Sequence, residues 1–238
     1  MLKDIQNHAN EESRIRSRYA KRNLDGRYSL VSPGHLFMIQ ERERLTLDLL
    51  RNQGITSLSQ KKVLEIGCGT GFWLRQFINW GAQPQNITGV DLLPDRVSQA
   101  KELCPKGMQI NTGRATKLHM EDAQFDLVLQ SLVFSSMLDQ AMKEQTATEM
   151  LRVLKIDGAI LWYDFHYNNP SNPDVRGIKK KEIYHLFPGC HITLWKITLA
   201  PPLSRSLVPY SWLFCYLLGK LKIFNTHYLG IIRKGGNH

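Results

Sequence analysis

The chain is poor in cysteine, in acidic residues and in long apolar runs. Its four cysteines, Cys68, Cys104, Cys190 and Cys215, lie far apart with no close pair. That spacing excludes a disulfide scaffold and the paired ligands of a zinc site, and it fits a reducing compartment. No stretch reaches the roughly 18 consecutive apolar residues that a membrane-spanning helix needs. The first 27 residues are charged and contain no apolar signal core, so a cytoplasmic location is expected. There are no internal repeats and no low-complexity tracts, and no spacing of histidines and carboxylates suggests a metal. The 21 acidic residues are outnumbered by 31 Lys and Arg, a net charge of +10. Such a surplus suits nucleic acid, anionic lipid or phosphorylated substrates. The basic residues are spread out, apart from Lys179-Lys180-Lys181 and an Arg- and Lys-rich N-terminus that includes Arg22. A solvated basic surface is therefore the preferred reading.

What is present is more specific. A chain of 238 residues with 42% hydrophobic content can bury one sizeable α/β core with additions. Residues Val63 to Leu74 read Val-Leu-Glu-Ile-Gly-Cys-Gly-Thr-Gly-Phe-Trp-Leu. A buried-type strand runs into three alternate glycines, Gly67, Gly69 and Gly71, and a helical pattern follows. Glycine tolerates positive φ and lets a ligand lie against the backbone. The turn also presents the free N–H groups of the next helix. Glu65 stands just before the turn, where its charge would repel a pyrophosphate and suit a ligand with a cation or amino group. Cys68 inside the turn is read as packing. A second short strand, Ile87 to Asp91, ends in a carboxylate about 20 residues further on, where an acid accepts hydrogen bonds from ribose hydroxyls.

Glu-x-Gly-x-Gly-x-Gly followed by the spaced Asp resembles the first two motifs of the class I methyltransferases that use S-adenosylmethionine. The resemblance covers roughly residues 36 to 235 and is most specific at 63–71 and 87–91. Gly113-Arg114-Ala115 stands where many members have Gly-Asp-Ala. The acid there commonly binds the adenine amino group, and Arg114 has no acceptor with which to do so; backbone groups near Ala115 or a neighbouring side chain remain to take that place. The resemblance implies a cofactor site made of Glu65, Gly67, Cys68, Gly69, Gly71, Asp91, Leu92, Arg114, Ala115, Gln130 and Ser131. The subgroup it most resembles is the small-molecule methyltransferases acting on sugars, lipids, quinones and secondary metabolites.

Along the chain, a polar helical segment covers residues 1–27, Tyr28 to Gly34 forms a loop with Pro33-Gly34 as its turn signal, and a helix runs from Leu36 to Gln53. Strands are expected at 62–66, 86–91, 108–112, 125–130 and 158–164, with helices at 71–80, 94–103, 139–154 and 179–187. Asp157-Gly158 is read as the turn into the fifth strand. This alternation predicts a parallel sheet covered on both faces. The period-two pattern of His191 to Leu199 and the run His227 to Arg233 add two more strands. Between them, Ser206 to Phe224 reads as one helix apolar on most sides. The resulting expectation is a Rossmann-like, seven-stranded, mostly parallel α/β sheet. Residues 1–54 would form a helical lid and 55–238 the methyltransferase domain, with an apolar insertion over 204–224. The resemblance places the lid over the cofactor, with Tyr19, Tyr28 and Arg42 as candidates for reaching it or for packing on the sheet edge. The sixth strand is expected to be parallel to its neighbours, setting the apolar helix over the substrate site.

Methyl transfer from a sulfonium needs an aligned nucleophile and exclusion of water, and an oxygen nucleophile often needs a base. The candidates follow strand five: Tyr163, Asp164, His166, Tyr167, Asn168 and Asn169. His166 is the preferred base, against the alternative of a loop histidine bonded to backbone. Asp164 would orient it or bind substrate, and Tyr163 would pack. His35 and His227 are further candidates. Asn169-Pro170 and Asn172-Pro173 do not match the Asn-Pro-Pro-Tyr signature of amino-methylating nucleic-acid enzymes, because that signature follows strand four; they are read as a rigid loop. Arg176 and Lys179 to Lys181 either bind an anionic substrate group or form a solvated helix start, the latter preferred. The expected activity is S-adenosylmethionine-dependent O-methylation of a small, sugar or lipid-linked metabolite. RNA or protein methylation and a non-catalytic binding role are the alternatives. Nucleic acid is not the expected partner. The apolar segment 206–224 is read as a buried lid in preference to a peripheral membrane contact.

Overall fold

The computed structural model describes residues 2–21, 26, 28–168 and 172–235, with side chains from residue 8 onward. Asn169, Pro170 and Arg22 lie outside the described residues. Two helices precede the sheet, α1 (Leu2–Ala20) and α2 (Pro33–Asn52). Pro33 is not a turn residue but opens α2, since the first helical position needs no N–H and favours φ near −65°. The elements then follow as β1 (Val63–Ile66), α3 (Phe72–Asn79), β2 (Ile87–Asp91), α4 (Pro94–Leu103), β3 (Gln109–Thr112), β4 (Phe125–Ser131), α5 (Gln140–Val153), β5 (Leu154–Phe165), α6 (Lys180–Leu186), β6 (His191–Leu199), α7 (Pro201–Leu207), α8 (Trp212–Lys220) and β7 (Asn225–Arg233).

The seven strands form one mixed sheet in the order β3-β2-β1-β4-β5-β7-β6. The first five are parallel, and β7 is antiparallel to both β5 and β6. The sixth strand keeps the direction of the first five. It is not parallel to its neighbour, however, because β7 inserts between it and β5 and is its only strand partner among the described residues. Every residue of β1 and β2 is buried, as strands covered on both faces must be. Side-chain alternation divides the core. Leu127, Leu129, Leu161 and Tyr163 join α3 and α4 on one face through Trp73, Phe77 and Val97. Val128, Ile160 and Trp162 join α5 and α6 on the other through Met150, Ile183 and Leu186.

Two expected boundaries move. Asp157-Gly158 is no turn between elements: β5 begins directly after α5, and residues 155–158 are taken up by a register shift against β4 between Phe125 and Leu127. The single helix expected over 206–224 is two helices, broken over residues 208–211 where Pro209 removes a backbone donor. Ser211 restarts the helix by accepting the Phe214 N–H at 3.2 Å. Pro201 and Pro202 lie within the first turn of α7, where proline is tolerated.

Candidate active site

The C-terminal ends of β1 and β2 bring the glycine turn and Asp91 together. Gly67, Gly69 and Gly71 have φ of +70°, +52° and +78°. A Cβ on Gly67 would lie 2.5 Å from Val133 Cγ2, and one on Gly71 would lie 2.5 Å from Cys104 Sγ. Both positions therefore exclude a side chain by space as well as by conformation. Cys68 is buried and packs beneath Gly89. Asp91 accepts the Gly69 N–H at 2.8 Å and the Leu93 N–H at 2.9 Å. Burial raises its carboxyl above the ordinary range, opposed by those two donors. Glu65 lies deeper: burial, then the neighbouring Asp91 charge, push its carboxyl well above the ordinary range. Its Oε2 is buried with no protein partner.

Arg42 comes from α2 to the same edge. Its guanidinium lies 4.6 Å from the Trp73 ring centre and 5.1 Å from those of Phe72 and Tyr163. It is buried, and its Nε has no protein partner. Glu65 Oε2 and Arg42 Nε thus lie beside the glycine turn, each without a protein partner.

An elongated cavity adjoins the turn. Gly67, Asp91, Leu92, Arg114, Ala115 and Ser131 line it, and α1 adds Glu12, Ile15 and Tyr19 to its wall. Arg114 Nε lies 2.8 Å from Glu12 Oε1, and Glu12 is only 8% exposed. The Arg96 guanidinium sits 4.3 Å over the Tyr19 ring. A second anchor holds α1 to the segment after β4. Glu11 accepts the Leu138 N–H at 2.5 Å, and Arg14 donates to the Ser136 carbonyl at 2.6 Å.

A family profile described as a methyltransferase domain matches residues 63–158. Solved structures of the same fold include an S-adenosylmethionine-dependent methyltransferase from Mesorhizobium loti. It is 15% identical, with 79% of this chain and 96% of that one covered and a TM-score of 0.57. A second, from Archaeoglobus fulgidus, is 17% identical over 84% of this chain and 98% of that one, with a TM-score of 0.57. The [4+2]-cyclase SpnF is 17% identical over 83% of each chain, with a TM-score of 0.59. No curated protein matches the chain. Residues 63–158 thus match a methyltransferase-domain profile, and the sheet has the fold of these solved methyltransferases.

S-adenosylmethionine is the expected cofactor of this methyltransferase domain, and the residues at the turn fit it. Its amino-acid end is a zwitterion, and the two unpartnered atoms beside the turn belong to an acid and a guanidinium. Its ribose needs an acceptor, and Asp91 is one. Glu12, delivered from α1, puts a carboxylate in the cavity beside Arg114.

The remaining predicted residues serve as supports. Gln130 is fully buried; it accepts the Val133 N–H at 3.2 Å and reaches the Tyr163 carbonyl at 3.5 Å. Leu132, next to Ser131, lines the cavity with φ of +62°, strain of the kind that clusters at ligand sites. Asp164 does not orient His166. It is wholly buried, and its oxygens accept the Ser135 N–H at 3.1 Å and the Phe165 N–H at 2.8 Å. Burial raises its carboxyl to about 6. His166 is half-buried, with Nε2 2.8 Å from the Asn225 carbonyl and its ring on Tyr228. Burial lowers its pKa, so the imidazole is neutral near pH 7. Neither residue lines the cavity. Tyr163 packs as expected, stacked on His227 at 4.8 Å with its hydroxyl 3.0 Å from Thr198. His227 is buried and held well below its ordinary pKa, chiefly by burial. Tyr28 is largely exposed and meets His35 edge-on. Arg176 and Lys143 both pair with Glu182, at 2.9 and 2.6 Å, which ties the start of α6 to α5.

The residues that sequence reasoning missed include Glu12, Ile15, Arg96, Met137 and Met142, all in the cavity wall. Ile15 and Tyr19 are four apart on α1, a weak signal of one apolar face. Nothing in the sequence ties Glu12 to Arg114.

Proposed function

We propose that the chain transfers a methyl group from S-adenosylmethionine to an oxygen of a small or amphipathic metabolite. The observation that carries the reading is the glycine turn with Asp91 on one side and, on the other, Glu65 Oε2 and Arg42 Nε, buried atoms without a protein partner. When bound, S-adenosylmethionine supplies an electrophilic methyl group on a sulfonium. Glu65 and Arg42 would hold its amino-acid end, Asp91 the ribose, and Glu12 with the backbone near Ala115 the adenine edge. Helix α1 excludes water from that side. His166, with Nε2 donating to the Asn225 carbonyl and the ring outside the cavity wall, is not assigned as the base; the reading rests on alignment of the acceptor and exclusion of water.

Calorimetry with S-adenosylmethionine and S-adenosylhomocysteine tests the donor half. Micromolar binding is expected for wild type. A loss on the order of 100-fold is expected in Asp91→Ala, since charge-assisted bonds to two ribose hydroxyls are removed. Absence of binding to wild type overturns the reading. A labelled-methyl screen of metabolite, RNA and protein fractions tests the acceptor half, and label confined to RNA or protein replaces the small-molecule acceptor.

A further inference from the structure

Helix α8 faces the wrong way for a helix bathed in water. Its inward positions are small: Cys215 and Gly219, four apart, are its buried residues. Its large side chains point out. Trp212, Leu213, Phe214, Leu217, Leu221 and Ile223, on the helix and just after it, are each more than half exposed. Tyr210, in the break before α8, is 89% exposed. A contiguous apolar surface of this kind marks an interaction site.

The charge around the patch is of one sign. After Glu182 the chain has no Asp or Glu, and it has six Lys and Arg. Lys220 and Lys222 are exposed at the end of α8, and with Lys196 they line the groove beside it. The acids across that groove are Glu41 and Asp48 on α2. Asp48 is paired with Arg44 and Arg51, and Glu41 accepts the Thr198 N–H at 3.1 Å. Lys222 is thus left to act outward, and Lys220, also exposed, lies 5.0 Å over the Tyr216 ring.

We propose that α8 and the residues flanking it seat the protein on an anionic lipid bilayer. Aromatic rings at a polar–apolar boundary, apolar side chains outward and lysines at the rim are the composition of a helix lying in the interface plane. No described helix is long and apolar enough to cross a membrane, so the contact is peripheral. The helix lies beside the substrate side of the fold. Phe37, near the start of α2, meets Trp212 at 5.6 Å, and α2 carries Arg42 five residues further on.

The test is co-sedimentation of the full chain with vesicles of phosphatidylcholine alone and of phosphatidylcholine mixed with phosphatidylglycerol. Wild type is expected to pellet with the mixed vesicles at low salt and to be released as salt rises. Leu213→Ser/Phe214→Ser and Lys220→Glu/Lys222→Glu are each expected to weaken partitioning at least tenfold while leaving the circular dichroism spectrum and melting temperature unchanged. Failure of folded wild type to pellet with mixed vesicles overturns the proposal, as does pelleting that survives both double variants. A concentration-dependent dimer in sedimentation velocity, abolished by Leu213→Ser/Phe214→Ser, would instead assign the patch to a second copy. None of these readouts depends on methyl transfer.

Discussion

At the scale of single residues, the fold places groups whose protonation it alters strongly. Asp164 is the clearest. Burial raises its folded pKa to about 6 from an ordinary value near 3.8. A raised carboxyl contributes stability that is full below the unfolded pKa and is lost as pH rises through the folded one. The window is therefore about pH 4 to 6, and the two-unit shift corresponds to about 3 kcal/mol at most. Asp164→Asn cannot titrate, so its cost relative to wild type should shrink by about 2–3 kcal/mol between pH 4 and pH 7. Denaturant unfolding of both proteins across that range checks it, and a pH-independent difference would contradict the buried, raised carboxyl. The sequence marked Asp164 and His166 as neighbours on a strand edge. It could not show that Ser135, 29 residues away, would take one oxygen of the acid, or that Asn225 would take the imidazole.

At the scale of elements, the Glu12–Arg114 pair joins α1 to the strand-end segment 102 positions later. Arg114 is partly exposed, so the pair should contribute about 1 kcal/mol or less to stability. Its expected effect is on the seating of α1. Glu12→Ala and Arg114→Ala should each speed deuterium uptake over residues 8–20 and weaken S-adenosylhomocysteine binding by several-fold. Their effects should be non-additive in the double variant. Full additivity would mean that the pair does not hold the helix. The elements themselves were largely legible in the sequence. β1 and β2 are unbroken apolar runs because both faces of the sheet are covered, and α3 and α4 begin within a few residues of the glycine turn and of Asp91. The break in the apolar segment was less legible, because helical periodicity continues across Pro209. Its outward orientation was not legible at all. Periodicity shows that a face is apolar and not which way it points, and the expectation of a buried lid rested on apolarity alone.

At the scale of the whole molecule, the site draws on α1, α2 and the ends of β1, β2 and β4, so ligand binding should stabilise the fold as one unit. S-adenosylhomocysteine at a hundredfold excess over its Kd should raise the melting temperature by about 5–10 °C for a domain of this size. An unchanged melting temperature would count against the cofactor site. The sheet order follows from the five parallel strands, whereas the antiparallel insertion of β7 between β5 and β6 depends on long-range pairing that no local pattern encodes.

The place of α1 in the cavity wall also bears on time. One wall of the donor site is a terminal helix held by an ion pair, a cation–ring contact and the bonds of Glu11 and Arg14. If the spent donor leaves past that wall, each turnover under the proposed reaction unseats it, discharges the product and seats it again. The enzyme's clock would then be the opening of α1, with the demethylated product as its brake and the methyl transfer itself as a fast interval between two slow ones.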